Sequence, residues 1–203
     1  YEAITFLGRI ASLRRENFEA SLFFNLAISA DPYRVNAYQN LFSMHVDLKQ
    51  YGDAQNVFAS LFEALPESIE AYLMRVEIAF RQRHFIETER AFNLLLERFS
   101  HKPAVWRAYT RFVAGHKSLE EKVFFWRDAC EKHPDSLPPR LEILRAQHSD
   151  GGTNQDVLEA SKTLLQLDPE NREGLLRTAQ YLNMEGATLE AFKYFKLGAA
   201  LYP

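Results

Sequence analysis

The chain is 203 residues long, 47% hydrophobic and 25% charged, with a net charge of −3. That is the balance of a soluble folded chain. It holds no apolar run near the ~20 residues of a membrane helix and lacks the basic excess of a general nucleic-acid binder. Residues 1–68 carry 5 basic and 8 acidic groups, 69–136 carry 12 and 10, and 137–203 carry 7 and 9, so only the middle third is net basic. The lone cysteine, Cys130, excludes an intrachain disulfide; it fits a reducing compartment and leaves the periplasm open.

A 34-residue period runs through the chain: Pro32, Pro66, Ser100 and Pro134 align, and Pro169 and Pro203 follow one residue late after a single insertion. The units fall at about 1–34, 35–68, 69–102, 103–136, 137–171 and 172–203. A fixed period of this length signals stacked units, none of which buries its own apolar face alone. In the first, Ile4, Leu7, Gly8 and Ala11 recur at helical spacing, Arg14 to Asn17 turn, and a second helix runs from Phe18 to Ala30. Asp31-Pro32 ends it, because the residue before proline is driven out of the helical region. The second unit has Tyr38, Leu41 and His45, a turn at Gln50 to Asp53 and a helix to Leu65; His45 falls on the apolar face, as a core residue. The third has Tyr72, Val76 and Ala79, a turn at Arg81 to His84, then Ala91, Phe92 and Leu95. The fourth has Trp106, Tyr109 and Val113, and Ser118 with Glu121 predicts a capping box. The fifth has Leu141, Leu144 and an enlarged turn, Ser149 to Gln155, with Gly151-Gly152. The sixth has Leu175, Ala179, Leu182 and a turn at Gly186.

Leu7-Gly8, Ala20, Phe24, Ala27 and Pro32, and again Ala191, Phe195, Gly198 and Pro203, resemble the tetratricopeptide repeat (TPR) family. The resemblance covers the whole chain as six repeats, although the third lacks its proline and the fifth has Val157 and Ser161 where small and aromatic residues are usual. It implies an all-α, right-handed α-solenoid of antiparallel helix pairs, a single array whose first helices line a concave groove that binds protein or peptide partners. Family arrays often end in a polar capping helix; none follows Pro203, and Tyr1 opens directly on a repeat with no initiating Met. The expectation is therefore a fragment of a longer protein, cytoplasmic or periplasmic.

Partner contacts are expected from polar-facing positions of the first helices: Asn36, Gln39, Asn40 and Ser43 in the second unit, Glu70, Leu73, Glu77 and Phe80 in the third, and Arg107 and Arg111 in the fourth. The first, fifth and sixth units add Glu2, Thr5, Arg9, Ser12, Glu142, Ala146, Glu173, Leu176, Arg177 and Gln180. Of the Lys-Asn-Asn-Lys-Arg set with which part of the family clamps chaperone C-termini, only Asn40 matches. Arg107 and Arg111, four apart, share a helical face. Beside Leu73 and Phe80 they would seat a peptide with an apolar anchor and an acidic group. The plainer reading pairs the arginines with Glu70, Glu77 or Glu142 and makes Phe80 core.

No catalytic, metal or cofactor site is expected. Cys130 and His133 have ligand-like spacing, but structural zinc wants four ligands. His84, His116 and His148 lie by turns, and Gly151-Gly152 lacks the Lys-Ser/Thr of a phosphate loop. Trp106, Tyr109, Phe112, Trp126-Arg127 and Ala129 also resemble the half-a-TPR repeats of RNA-processing assemblies, in the fourth unit alone; the plainer reading makes both tryptophans core. The expected function is a scaffold for a protein or peptide partner within an envelope, export or transport assembly, with no small-molecule substrate, nucleic acid or membrane insertion. The alternatives are a rigid spacer, a regulatory arm of a flanking enzyme, or a homo-oligomer joined by exposed Phe23, Phe125 or Tyr194.

Overall fold

A computed structural model describes residues 1–115 and 118–202, so His116 and Pro203 lie outside the described residues. Among those described there are twelve α-helices and no strand, in six antiparallel pairs. The first compact unit, Tyr1–Phe99, holds α1 (Glu2–Leu13) with α2 (Asn17–Ala30), α3 (Val35–Asp47) with α4 (Tyr51–Ala64), and α5 (Ile69–Arg81) with α6 (Phe85–Phe99). The second begins at Ser100 and holds α7 (Pro103–Ala114) with α8 (Leu119–Lys132), α9 (Leu137–Ser149) with α10 (Asn154–Leu167), and α11 (Arg172–Met184) with α12 (Thr188–Leu201).

The turns inside the pairs repeat one hydrogen bond. Glu16 N–H donates to the Ala11 carbonyl at 2.9 Å, and Gln50 to His45, His84 to Ala79, Gly152 to Gln147 and Ala187 to Leu182 do the same. This six-to-one closure needs a left-handed residue just before the donor. Gly151 and Gly186 supply it in the second compact unit, but Arg15, Lys49 and Arg83 do so in the first compact unit, at φ 63°, 58° and 60°. A side chain there crowds the following carbonyl, at roughly 1–2 kcal/mol. Ser118 caps α8 in a full box with Glu121, as its spacing predicts, and Thr153 with Asp156 does the same for α10.

Packing follows the period. The small residues Ala20, Ala54 and Ala191 are buried, as are Thr88 and Val157 at the equivalent position. Lys122 holds that position in α8, half-buried, with Nζ 2.7 Å from Asp150 Oδ2. Four residues on, Phe24, Phe92 and Trp126 are buried. Ser161 stands there in α10 and is wholly buried too, because the Thr178 hydroxyl of α11 donates to Ser161 Oγ at 2.8 Å. Ser161 donates its own O–H to the Leu158 carbonyl at 2.9 Å. The degenerate fifth unit thus replaces an aromatic with a buried polar pair. Trp106 donates Nε1–H to the Ser100 carbonyl just ahead of α7 at 2.6 Å, and the Tyr38 hydroxyl donates equivalently to the Pro32 carbonyl.

Two expectations are corrected. His45 is half-buried, not core, and its Nδ1 lies 2.9 Å from Gln50 Oε1 at the turn. Phe23, Phe125 and Tyr194 are half-buried, not exposed. All three sit three residues after the small position and one before the large one, flanking the stripe: Phe23 packs on the first core, Phe125 lies edge-on to Phe112 at 5.5 Å, and Tyr194 packs beside Leu158 and Leu182. The large exposed apolar residues are others, among them Phe6, Phe18, Phe124, Leu189 and Phe192.

Gly8 marks the tightest helix approach, where a Cβ would stand 2.7 Å from the buried Phe24 ring; at Gly52 it would meet nothing within 4 Å. Gly8→Ala should therefore lower unfolding free energy by about 1–3 kcal/mol, whereas Gly52→Ala should raise it by about 0.5–1 kcal/mol, both read from urea titrations. Lys49→Gly should raise it by roughly 0.5 kcal/mol, since the left-handed conformation costs glycine nothing sterically.

Candidate partner-binding face

Within the first unit, α1 packs on α3 and α3 on α5, so first helices lie side by side. Eight of the ten expected contact residues fall on the adjoining helices α3 and α5; Arg107 and Arg111 are on α7 in the second unit. Asn36, Gln39 and Ser43 are exposed along α3. Asn40 is half-buried and donates Nδ2–H to the Asn36 carbonyl at 2.7 Å. On α5, Leu73 and Phe80 are half-buried. Glu70 accepts from the Ser68 hydroxyl at 2.8 Å, and the same Ser68 caps α5. Glu77 holds Arg81 at 2.7 Å, and this charge-assisted bond, with the Coulombic pull of the same carboxylate, keeps the Arg81 guanidinium pKa above its ordinary value. Thr5, taken as outward-facing, is buried, with its hydroxyl donating to the Tyr1 carbonyl at 3.0 Å.

On α7, Arg107 and Arg111 are exposed one helical turn apart. The second unit carries a charged arrangement that residue type alone did not single out. Arg145 on α9 reaches Glu142 at 2.8 Å and Glu173 on α11 at 3.0 Å. Burial works against its charge, but hydrogen bonds to Glu173 and Glu142 outweigh it and hold the pKa above the ordinary value. Arg145 stands 34 residues after Arg111, so the period was the available signal. Its two carboxylates are occupied within the fold.

Among the described residues no group of three or more His, Cys, Asp or Glu is placed to hold a metal ion, and no helix is long and apolar enough to cross a membrane. The His133 ring lies edge-on to Trp106 at 5.8 Å. Burial pushes the Cys130 thiol above its ordinary pKa, Glu131 adds to the rise, and Arg140 opposes it. Because the thiolate is the nucleophile, Cys130 in the folded chain should react with iodoacetamide more slowly than free cysteine at pH 8. The pH midpoint of its alkylation rate should also lie higher, read by mass spectrometry over a pH series.

Solved structures share this fold at low identity. The chain is similar to yeast Tom70 at 19% identity and a TM-score of 0.53, over 90% of this chain and 39% of that one. It is similar to PilW, a type IV pilus biogenesis factor, at 17% and 0.50, over 95% of this chain and 89% of PilW. It is also similar to the C-terminal part of a TPR repeat-containing protein from Cytophaga hutchinsonii, at 12% and 0.52, over 96% and 77%. The chain thus spans about two fifths of the Tom70 chain it matches. No curated protein matches the sequence significantly. The family model described as Suppressor of forked protein (Suf) matches residues 20–132, a stretch that takes in the aromatic α7–α8 pair. With more than half of its length under that model, this TPR-like helical-repeat chain belongs to the Suppressor of forked family.

Proposed function

We propose that the chain is a protein-interaction scaffold, and that the α3–α5 face takes an extended segment of a partner protein. The observation that carries this reading is the row Asn36, Gln39 and Ser43, exposed along a first helix whose opposite side is core. Carboxamides both donate and accept, which matches the alternating groups of a peptide backbone. Leu73 and Phe80 on the adjoining helix offer apolar surface, and Glu70 and Glu77 set its charge. Arg107 and Arg111, exposed one helical turn apart on α7, suit a carboxylate of a partner. The α9–α11 face is less suited, since Arg145 and its two carboxylates already satisfy one another. The use of this fold in a pilus biogenesis factor supports placing such a scaffold inside a larger envelope, export or transport assembly.

The test places a photo-activatable phenylalanine analogue at Gln39 or, as a control, at Glu63, exposed on the second helix α4. Irradiation in source cells should give a protein adduct from position 39 and none from 63. The triple change Asn36→Ala, Gln39→Ala, Leu73→Ala should weaken binding of the identified partner by about tenfold or more. Adducts from position 63 alone would overturn the reading.

A further inference from the structure

Where one repeat meets the next, a fixed position of the second helix stands against a fixed position of the following first helix. Between the fifth and sixth repeats these are Ser161 and Thr178. Between the first and second they are Phe24 and Leu41, 1% and 2% exposed in one core, with the small Ala27 and Ala37 wholly buried a turn away on each helix. The same positions recur at the two ends without a mate. Phe195 is the counterpart of Phe24 and Leu7 of Leu41, and they are 42% and 47% exposed. Gly198 and Ala3 stand where Ala27 and Ala37 do. Among the described residues the large exposed apolar side chains gather accordingly: α1, α2 and Tyr33 hold seven, α11, α12 and Tyr202 hold seven, and the four pairs between them only seven together.

Charge follows the same register. Lys162 on α10 lies 3.9 Å from Glu190 on α12, and the corresponding pair one repeat earlier is Arg127 and Asp156. Hydrogen bonds from Thr153, and after them the charge of Arg127, hold the Asp156 carboxyl below its ordinary pKa. Lys196 continues this column of cations, whereas the first three second helices have Asn25, Ala59 and Asn93 there. A first-turn carboxylate is common to all the second helices, so the cation is the selective half of the pair. In the first repeat that carboxylate is Glu19.

We propose that the chain associates head to tail with a second copy of itself, the α12 face of one copy seating α1 of the next as α2 seats α3. Phe195 and Gly198 take Leu7 and Ala3, and Lys196 faces Glu19. Covering apolar side chains on both faces supplies the drive, and the exposed ion pair adds register more than affinity. The contact is heterologous, so the two faces of one copy meet different faces of its neighbours. Neither α3 nor α5 takes part, so self-association and partner binding on their face stand or fall separately.

The test is sedimentation equilibrium of the whole 203-residue chain from low to high micromolar concentration, where the average mass should rise above that of the monomer. Leu7→Glu and Phe195→Glu, both at exposed positions, should each weaken self-association by about tenfold or more. An equimolar mixture of the two should nevertheless form a one-to-one dimer, because each variant keeps the face that the other has lost. Lys196→Glu should weaken association by about threefold, and adding Glu19→Lys to the same chain should restore it. Circular dichroism melting confirms folding, with Leu7→Ala and Phe195→Ala as gentler variants expected to give smaller losses of the same sign. A constant monomer mass would overturn the proposal and leave the two faces to helical pairs of other sequence. Self-association that survives either glutamate variant alone, a mixture of the two that stays monomeric, or a Lys196→Glu loss that Glu19→Lys deepens would overturn it as well.

Discussion

Everything in this chain depends on how closely the two helices of a pair, and then successive pairs, can approach. The inward stripe of most second helices alternates a small residue, a large one and another small or aliphatic one, one turn apart, with Lys122 in α8 and Ser161 in α10 as departures. Where the small residue is Ala20, a neighbouring helix comes near enough for the Phe24 ring to be enclosed. Gly8 takes this furthest, since the Phe24 ring occupies the space a side chain would need. Each interior is too thin to close alone, so burial is completed by the neighbouring pair. That division of labour leaves outward positions of the first helices, such as Asn36, Gln39 and Ser43, exposed.

The helix stops before Pro32, Pro66, Pro134 and Pro169 and the capping box at Ser118 were legible in the sequence because each rests on a local backbone rule. Side-chain exposure was less so. Phe23, Phe125 and Tyr194 occupy one position of the period, beside the buried stripe, and only the packing of neighbouring helices decides how far such a flank is covered. Thr5 was misjudged for a similar reason: its hydroxyl can satisfy itself on the preceding turn and then go inside. His45 failed in the other direction, because Gln50 across the turn gives its ring a polar partner at the rim.

The candidate face was legible as positions and not as interactions. Helical spacing put Asn36, Gln39 and Ser43 outward on α3, and they are exposed. Arg145 was missed because an arginine amid carboxylates looks like any solvated charge until the α9 and α11 backbones bring Glu142 and Glu173 to it. The two faces differ as a result. One presents uncharged hydrogen-bonding groups, whereas the other has already spent its charges on holding two helices together.

The Ser161–Thr178 pair bears on how such an array can evolve. Repeat proteins lengthen by copying whole units, which succeeds only when every junction accepts the same mating surfaces. In the first two pairs Phe24 and Phe58 pack into a core shared with the next pair, and a copy there would find a similar seat. A tandem copy of the fifth unit would instead set Ser161 against Ile143, which offers no hydroxyl. The fifth and sixth units are in that sense a single heritable block, to be duplicated, lost or exchanged together.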